Sequence, residues 1–106
     1  MINIEELRAL AVNMDNFRVT KHVAVRFKER GIKIGYVRNA LFNGEIIEQY
    51  PNDYPFPSCL VLGFENGENP IHVCIGLGDD QLWVITAYYP DTSEWEDDFK
   101  TRKAAN

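Results

Sequence analysis

The sequence predicts an α+β fold, with N-terminal helices packed on one face of a four-stranded antiparallel sheet and a helix at the C-terminal end. Two observations predict it. Apolar residues recur at helical spacing as far as Gly44 and then alternate with a period of two. Short turn sequences separate the strand-like runs, and such turns connect antiparallel neighbours. Helices that precede a contiguous antiparallel sheet are typical of α+β domains, and 106 residues have room for one domain, spanning 1–106.

Three helices are predicted before Gly44. The first covers residues 2–12, where apolar side chains form one stripe. The second runs from Thr20, a suitable N-cap residue, to Arg30, and Gly31 ends it because glycine readily takes a left-handed conformation. The third is short and ends at Gly44.

The predicted strands are separated by turns and cover residues 45–50, 58–65, 71–77 and 81–89. If Asn66 and Gly67 form a two-residue turn, Cys59 faces Cys74 across the ladder. We expect both thiols to be reduced, because two cysteines are too few for a disulfide framework.

A last helix is predicted after the strands. Ser93 and Glu96 fit a capping box, and the helix would end near residues 102–103. The acidic run around Trp95 then places negative charge in the first turn of that helix, which favours this interpretation over a cation site.

Composition excludes several classes of protein. With 45% hydrophobic and 25% charged residues, the chain is neither disordered nor collagen-like. Its apolar runs are far shorter than the ~18–20 residues that a membrane span needs. The first ten residues lack the apolar segment of an export signal, so we expect a cytoplasmic protein that does not act on membranes. Glycine-rich phosphate loops and metal-binding motifs do not occur in the sequence, so we expect no cofactor and no metal.

The charge of the chain is unevenly distributed. The net charge is −5, which by itself argues against nucleic-acid binding. Residues 1–44, however, carry net +4, and residues 45–106 carry net −9. Seven of the eleven basic residues lie in residues 18–38, beside a single acid. This segment can therefore attract an anion locally, within a Debye length of roughly 8–10 Å.

The second predicted helix groups side chains that suit phosphate chemistry. His22, Arg26, Glu29 and Arg30 fall within a sector of roughly 100° on a helical wheel. Guanidinium groups match phosphate oxygens, and an imidazole can move protons near neutral pH. The alternative is that both arginines are solvated and that Glu29 pairs with one of them.

His72 lies in a predicted strand in which Ile71, Val73 and their alternate neighbours face the core, so His72 and Cys74 point to the opposite face. The alternative to a functional role is a histidine that forms a hydrogen bond beneath a covering loop. Either Thr86 and Tyr88, or Tyr89, share that face, depending on whether the loop at Gly78–Asp80 has two or three residues.

Several motifs together resemble a known family. They are KHVAVRFKERGI, NGEIIEQYP, PSCLVLG, NPIHVCIG and WVITAYYP, followed by a tryptophan, a phenylalanine and RK. Their order and spacing over residues 20–103 resemble the prokaryotic domain-of-unknown-function family forty-two fifty-eight. That family is placed with the ribonucleases of the barnase, EndoU, colicin and RelE type (the BECR fold).

The resemblance implies a toxin-like, metal-independent endoribonuclease of a toxin–antitoxin pair. Its substrate would be RNA, its partner an antitoxin protein, and a homodimer stays open as its assembly. One histidine would take the ribose 2′-hydroxyl proton while the other protonates the leaving 5′-oxygen. The implied catalytic residues are His22, His72, Arg26 and Tyr88, and the implied substrate-binding residues are Arg30, Lys21 and Thr86.

Two other classes of function remain at this point. A non-catalytic binding protein on the same fold would keep His22 and His72 apart, or bury them against backbone carbonyls. A redox or metal-sensing module would instead bring Cys59, Cys74 and His72 together. The ribonuclease that divides the chemistry between two histidines, as the resemblance implies, predicts both imidazoles in one cleft, within reach of Arg26 and Tyr88.

Overall fold

The computed structural model of the protein describes residues 1–104. The three helices that the sequence predicts before Gly44 are present: α1 (Ile4–Ala11), α2 (Lys21–Arg30) and α3 (Ile34–Asn43). The Thr20 side chain accepts a hydrogen bond from the Val23 amide at the start of α2, and Gly31 ends this helix at φ 69°. A short 3₁₀ helix, Met14–Asn16, follows α1. None of these helices has the length and apolar character needed to cross a membrane.

The sheet has five strands, which corrects the prediction of four: β1 (Phe17–Arg18), β2 (Glu45–Tyr50), β3 (Ser58–Glu65), β4 (Asn69–Gly78) and β5 (Gln81–Tyr88). Their order is β1-β5-β4-β3-β2. The additional strand β1 pairs in parallel with β5, so the sheet is mixed. A strand of two residues is too short to show the alternation by which strands are recognised in a sequence.

All three helices cover one face of the sheet, as expected for this fold class. Leu7, Phe27 and Leu41 from the helices pack against Val61 and Val73 from the central strands in a continuous buried core. The alternate residues of the same strands point to the opposite face of the sheet.

The predicted register between β3 and β4 is wrong by one residue. The hairpin pairs Glu65 with Asn69, so three residues form its loop and Cys59 opposes Ile75 instead of Cys74. A shift of one residue moves a side chain to the other face. Cys59 therefore lies in the core beneath the helices, Cys74 lies on the opposite face, and both are free thiols.

A β-bulge determines which residues of β5 share a face with His72. The β4–β5 loop has two residues, but the register shifts after Cys74, which opposes Thr86 while Ile75 opposes Val84. The extra residue brings Tyr88 opposite His72. Thr86 and Tyr88 thus lie on the His72 face.

The predicted C-terminal helix is absent, and residues 91–104 form turns with one bridge between Trp95 and Arg102. The side chain of Asp91 accepts a hydrogen bond from the Ser93 amide, and Asp98 accepts from the amides of the two residues at 100 and 101. Such local side-chain bonds compete with helical ones. The segment folds back over the second face of the sheet, and we call residues 91–103 the cover segment.

Candidate functional site

The α2 side chains selected from the helical wheel lie together in the structure. Val23 and Phe27 anchor α2 in the core. The side of the helix next to them therefore points outward, and it carries His22, Arg26 and Arg30 at four-residue spacing, all of them exposed. One exposed imidazole and two guanidinium groups consequently occupy one helix surface.

This surface and strand β5 enclose a small cleft, which we call the α2 cleft. Its volume is about 220 Å³, and its lining residues are His22, Val23, Arg26, Phe27, Arg30, Ile85 and Thr86. β1 pairs with only two residues of β5, and Arg30 of α2 bonds to two residues farther along that strand. Nη1 of Arg30 donates to Oγ1 of Thr86 at 3.2 Å and to the carbonyl oxygen of Ala87 at 2.9 Å. These bonds fix the position of the Arg30 guanidinium on one side of the cleft.

The other charged residues of α2 lie outside this arrangement. Lys21 is exposed at the first position of the helix and does not line the cleft. Glu29 forms no ion pair with Arg26 or Arg30 within the part of the chain that the structure describes. The cleft therefore keeps the positive charge of both arginines.

His72 lies in a different environment. Its side chain is fully buried on the second face of the sheet. Nε2 lies 2.7 Å from the carbonyl oxygen of Phe99, and Nδ1 lies 3.2 Å from the hydroxyl oxygen of Tyr88. Because a carbonyl only accepts, Nε2 carries the proton and Nδ1 accepts from Tyr88. Both ring nitrogens of His72 are thus hydrogen-bonded within the protein.

The cover segment is what buries His72. The indole of Trp95 stands edge-on to the imidazole with ring centroids 4.4 Å apart. The guanidinium of Arg102 stacks 4.6 Å from the Trp95 ring and makes two hydrogen bonds to the carboxylate of Glu48, at 2.9 and 3.1 Å. A further ion pair joins Lys100 to β2. The surroundings of His72 therefore match the alternative to a functional role, a histidine that forms hydrogen bonds beneath a covering loop.

Burial and pairing shift the acid–base properties of this cluster. Burial lowers the pKa of His72, although the bond to Phe99 partly opposes it. The hydrogen bond from Arg102 is the main reason why the pKa of Glu48 is lowered, and burial raises the pKa of Tyr50 to about 12. Burial also raises the pKa of Tyr88. His72 is therefore held neutral at neutral pH.

The structure does not bring the two histidines into one cleft. His22 and Arg26 line the α2 cleft together with Thr86, whereas Tyr88 joins His72 under the cover segment. Because Thr86 and Tyr88 are alternate residues of β5 on one face, the two groups are neighbours along that strand. Lys21 belongs to neither group.

The redox or metal-sensing arrangement does not form. Cys59 lies on the helix-covered face, and His72 and Cys74 lie on the other. Among residues 1–104, no three side chains of the metal-ligating types converge on one point.

Sequence reasoning missed Glu48 and Arg102, which fix the cover segment, and it missed a second cavity beside the α2 cleft. The cavity is about 410 Å³ in volume and is bordered by the aromatic residues Tyr54, Phe56 and Trp83. We call it the aromatic pocket. The sequence feature that could have indicated this pocket is the proline-rich loop between β2 and β3, in which two aromatic residues alternate with prolines.

Comparison with known proteins gives one result. A family model described as "Domain of unknown function (DUF4258)" matches residues 19–89. The match includes α2 and all of β5 but ends before the cover segment. A search of curated proteins and a search of solved structures each returned no match.

Proposed function

This chain belongs to the DUF4258 family, and we propose that it is an RNA-binding protein that cleaves the RNA backbone without a metal at the α2 cleft. The observation that carries the proposal is the convergence of His22, Arg26 and Arg30 on one open cleft. This chemistry would group the family with ribonucleases of the barnase, EndoU, colicin and RelE type.

The charge of the cleft suits a phosphodiester. Arg26 is exposed, and Arg30 is held against β5 by Thr86 and Ala87, so the two guanidinium groups offer one adaptable and one fixed set of donors. Guanidinium groups bind phosphate oxygens through paired hydrogen bonds and stabilise the charge that develops in the transition state. Lys21 and Lys28 add positive charge to the same helix and favour the approach of RNA.

His22 supplies the proton acceptor. Its neutral imidazole takes the proton of a ribose 2′-hydroxyl, and the 2′-oxygen attacks the adjacent phosphorus. The bond from phosphorus to the 5′-oxygen breaks, and water in the open cleft protonates that oxygen. The products are a 2′,3′-cyclic phosphate and a free 5′-hydroxyl, and the imidazolium of His22 returns its proton to solvent.

His72 and Tyr88 have a different role in this proposal. They bond to each other and to the cover segment, so they position β5 and its Thr86 instead of touching the substrate. The burial of His72 against a carbonyl also favours a second candidate, an RNA-binding protein that does not cleave. Under both candidates the α2 cleft binds RNA, and we expect a cytoplasmic protein. As a ribonuclease it would have an antitoxin partner that presents acidic groups to α2.

Cleavage of unstructured RNA in the presence of EDTA tests the proposal. We expect products that end in 2′,3′-cyclic phosphate, identified by mass spectrometry. The His22→Ala variant should cleave about 10²–10⁴-fold more slowly while it still binds RNA, because only the general base is lost. Arg26→Ala should weaken both binding and cleavage.

Lys28→Ala is the matched control, because it removes one positive charge from α2 outside the cleft. It should reduce RNA affinity slightly and leave the cleavage rate of bound RNA unchanged. Binding without cleavage by the wild-type protein would select the non-catalytic candidate. Equal cleavage by wild type and His22→Ala would refute the assignment of His22.

A further inference from the structure

The aromatic pocket is built on a firm base. Phe56 and Trp83 lie with ring centroids 5.5 Å apart and planes inclined by 31°. Trp83 Nε1 donates to the carbonyl oxygen of Gly78 at 3.0 Å, so the polar edge of the indole is engaged within the protein. A Cβ atom at Gly78 would overlap the Phe56 ring, so glycine at this position allows the ring to rest on the β4 backbone. Phe56 and Trp83 are thereby held in place.

Tyr54 completes the pocket and lacks the packing of the other two rings. It is 94% exposed, the highest value among the larger apolar and aromatic side chains outside the chain terminus. The loop that carries it is anchored by a 2.5 Å hydrogen bond from Ser58 Oγ to Asp53 Oδ2. An exposed aromatic ring on an anchored loop is available to stack on a planar ligand, because little conformational freedom is lost when the ligand binds.

The aromatic pocket adjoins the α2 cleft. Val23 and Ile85 line both, so a ligand with its phosphate between Arg26 and Arg30 can extend directly toward Tyr54. The charges of the two cavities differ. The α2 cleft is lined by two arginines, whereas the acidic residue Asp53 lines the aromatic pocket. A phosphate is attracted to the first and repelled from the second, and a neutral planar group suits the second.

We propose that the aromatic pocket binds a nucleobase of single-stranded RNA, next to the nucleotide whose phosphate occupies the α2 cleft. Single-stranded nucleic acid has this combination of a charged backbone and planar bases, and proteins bind it with basic grooves and aromatic stacking surfaces. Asp53 keeps acceptor capacity beyond its bond to Ser58, because a carboxylate has about four lone-pair sites. It can therefore accept from an N–H group of the base. This inference rests on the proposed function, since the RNA backbone orients the base.

The test uses a fluorescein-labelled tetranucleotide with 2′-O-methyl riboses, which cannot form the cyclic phosphate, and the same backbone without bases. Affinities of the full-length protein are measured by fluorescence anisotropy at one fixed salt concentration. We expect wild type to bind the base-containing probe about 10-fold more tightly than the abasic one. Tyr54→Ala should lose most of this difference and leave abasic binding unchanged, and Tyr54→Phe should retain it.

Two controls separate stacking from misfolding. Tyr54 is almost fully exposed, so its variants should unfold at the wild-type temperature. Phe42→Ala removes another exposed aromatic ring, on α3 outside both cavities, and should bind both probes as wild type does. Trp83 borders the pocket and Trp95 is buried away from it, so quenching of the tryptophan emission by the base-containing probe should report contact with Trp83.

The outcomes distinguish this inference from the proposed cleavage. Base-dependent, Tyr54-dependent binding without cleavage of ordinary RNA would support the nucleobase site and refute the ribonuclease. Cleavage of ordinary RNA with equal affinity for the two probes would overturn the nucleobase site and leave the ribonuclease standing. A wild-type protein that binds neither probe would overturn both.

Discussion

Protonation of His72 should destabilise the folded protein as the pH falls below neutral. In the folded state the imidazole is fully buried, with Nε2 bonded to Phe99 and Nδ1 to Tyr88. Burial is the largest influence on His72 and lowers its pKa below the usual value of 6.5. The hydrogen bond to Phe99 and the negative charge of Glu48 oppose this shift, and the positive charge of Arg102 adds to it. The folded protein therefore favours the neutral imidazole, whereas the unfolded chain takes up a proton near pH 6.5.

The sign and size of the effect follow from proton linkage. A group whose folded pKa is lowered contributes stability that is fully present above its unfolded pKa and is lost as the pH falls toward the folded value. Between those two values the unfolded state binds one more proton, so each pH unit removes up to about 1.4 kcal/mol. Against a total stability of about 5–15 kcal/mol for a domain, this loss is readily measured.

Urea unfolding at closely spaced pH values from 7.5 to 5.5, followed by far-UV circular dichroism, tests the prediction. The wild-type protein should lose stability across this range. His72→Phe should remove the dependence of stability on pH, because it keeps a buried ring but removes the titrating group. Its stability at pH 7.5 should be lower than that of wild type, because the Phe99 carbonyl loses its hydrogen-bond donor. His22→Ala, which removes the other histidine of the chain, should keep the slope. An equal slope in wild type and His72→Phe would refute the reasoning.

Three further changes test the packing and the pairing of charges, with urea unfolding as the measurement unless stated. Gly35→Ala should stabilise the protein by about 0.5–1 kcal/mol, because Gly35 lies in α3 and a Cβ atom there would meet nothing within 4 Å. Gly63→Ala should destabilise it by about 1–3 kcal/mol, because its Cβ atom would lie 2.5 Å from an α3 side chain. Arg102→Ala should cost about 1 kcal/mol, less in high salt, because the guanidinium that pairs with Glu48 is more than half exposed. Cys59 is fully buried and burial raises its pKa to about 12, so mass spectrometry should find it alkylated only after unfolding.

Local signals were sufficient to predict the three helices before Gly44 and four of the five strands. Thr20 and Gly31 mark the ends of α2, and both act as expected, because capping depends on residues adjacent in the sequence. The alternation of apolar residues around His72 likewise gave its face correctly. The same local reasoning grouped His22, Arg26 and Arg30, since side chains on one helix are positioned by the helical repeat alone.

Register and long-range pairing could not be predicted in this way. The three-residue loop after Glu65 moved Cys59 away from Cys74, and the bulge opposite Cys74 placed Tyr88 beside His72. Each of these changes adds a single residue, yet each reverses which face a side chain occupies. The prediction of a C-terminal helix was wrong for another reason. The carboxylate of Asp98 accepts hydrogen bonds from nearby backbone amides, which favours turns.

The two histidines show why the environment of a side chain decides between chemistry and structure. An imidazole can exchange protons with a substrate only if one ring nitrogen is accessible, and in His72 both nitrogens are bonded within the protein. His22, in contrast, lines an open cleft together with Arg26 and Arg30, whose positive charges attract phosphate. The cover segment that buries His72 lies beyond the part of the chain matched by the family. The surroundings therefore separate the two imidazoles, because His22 on α2 is open to a substrate and His72 on β4 is closed to one.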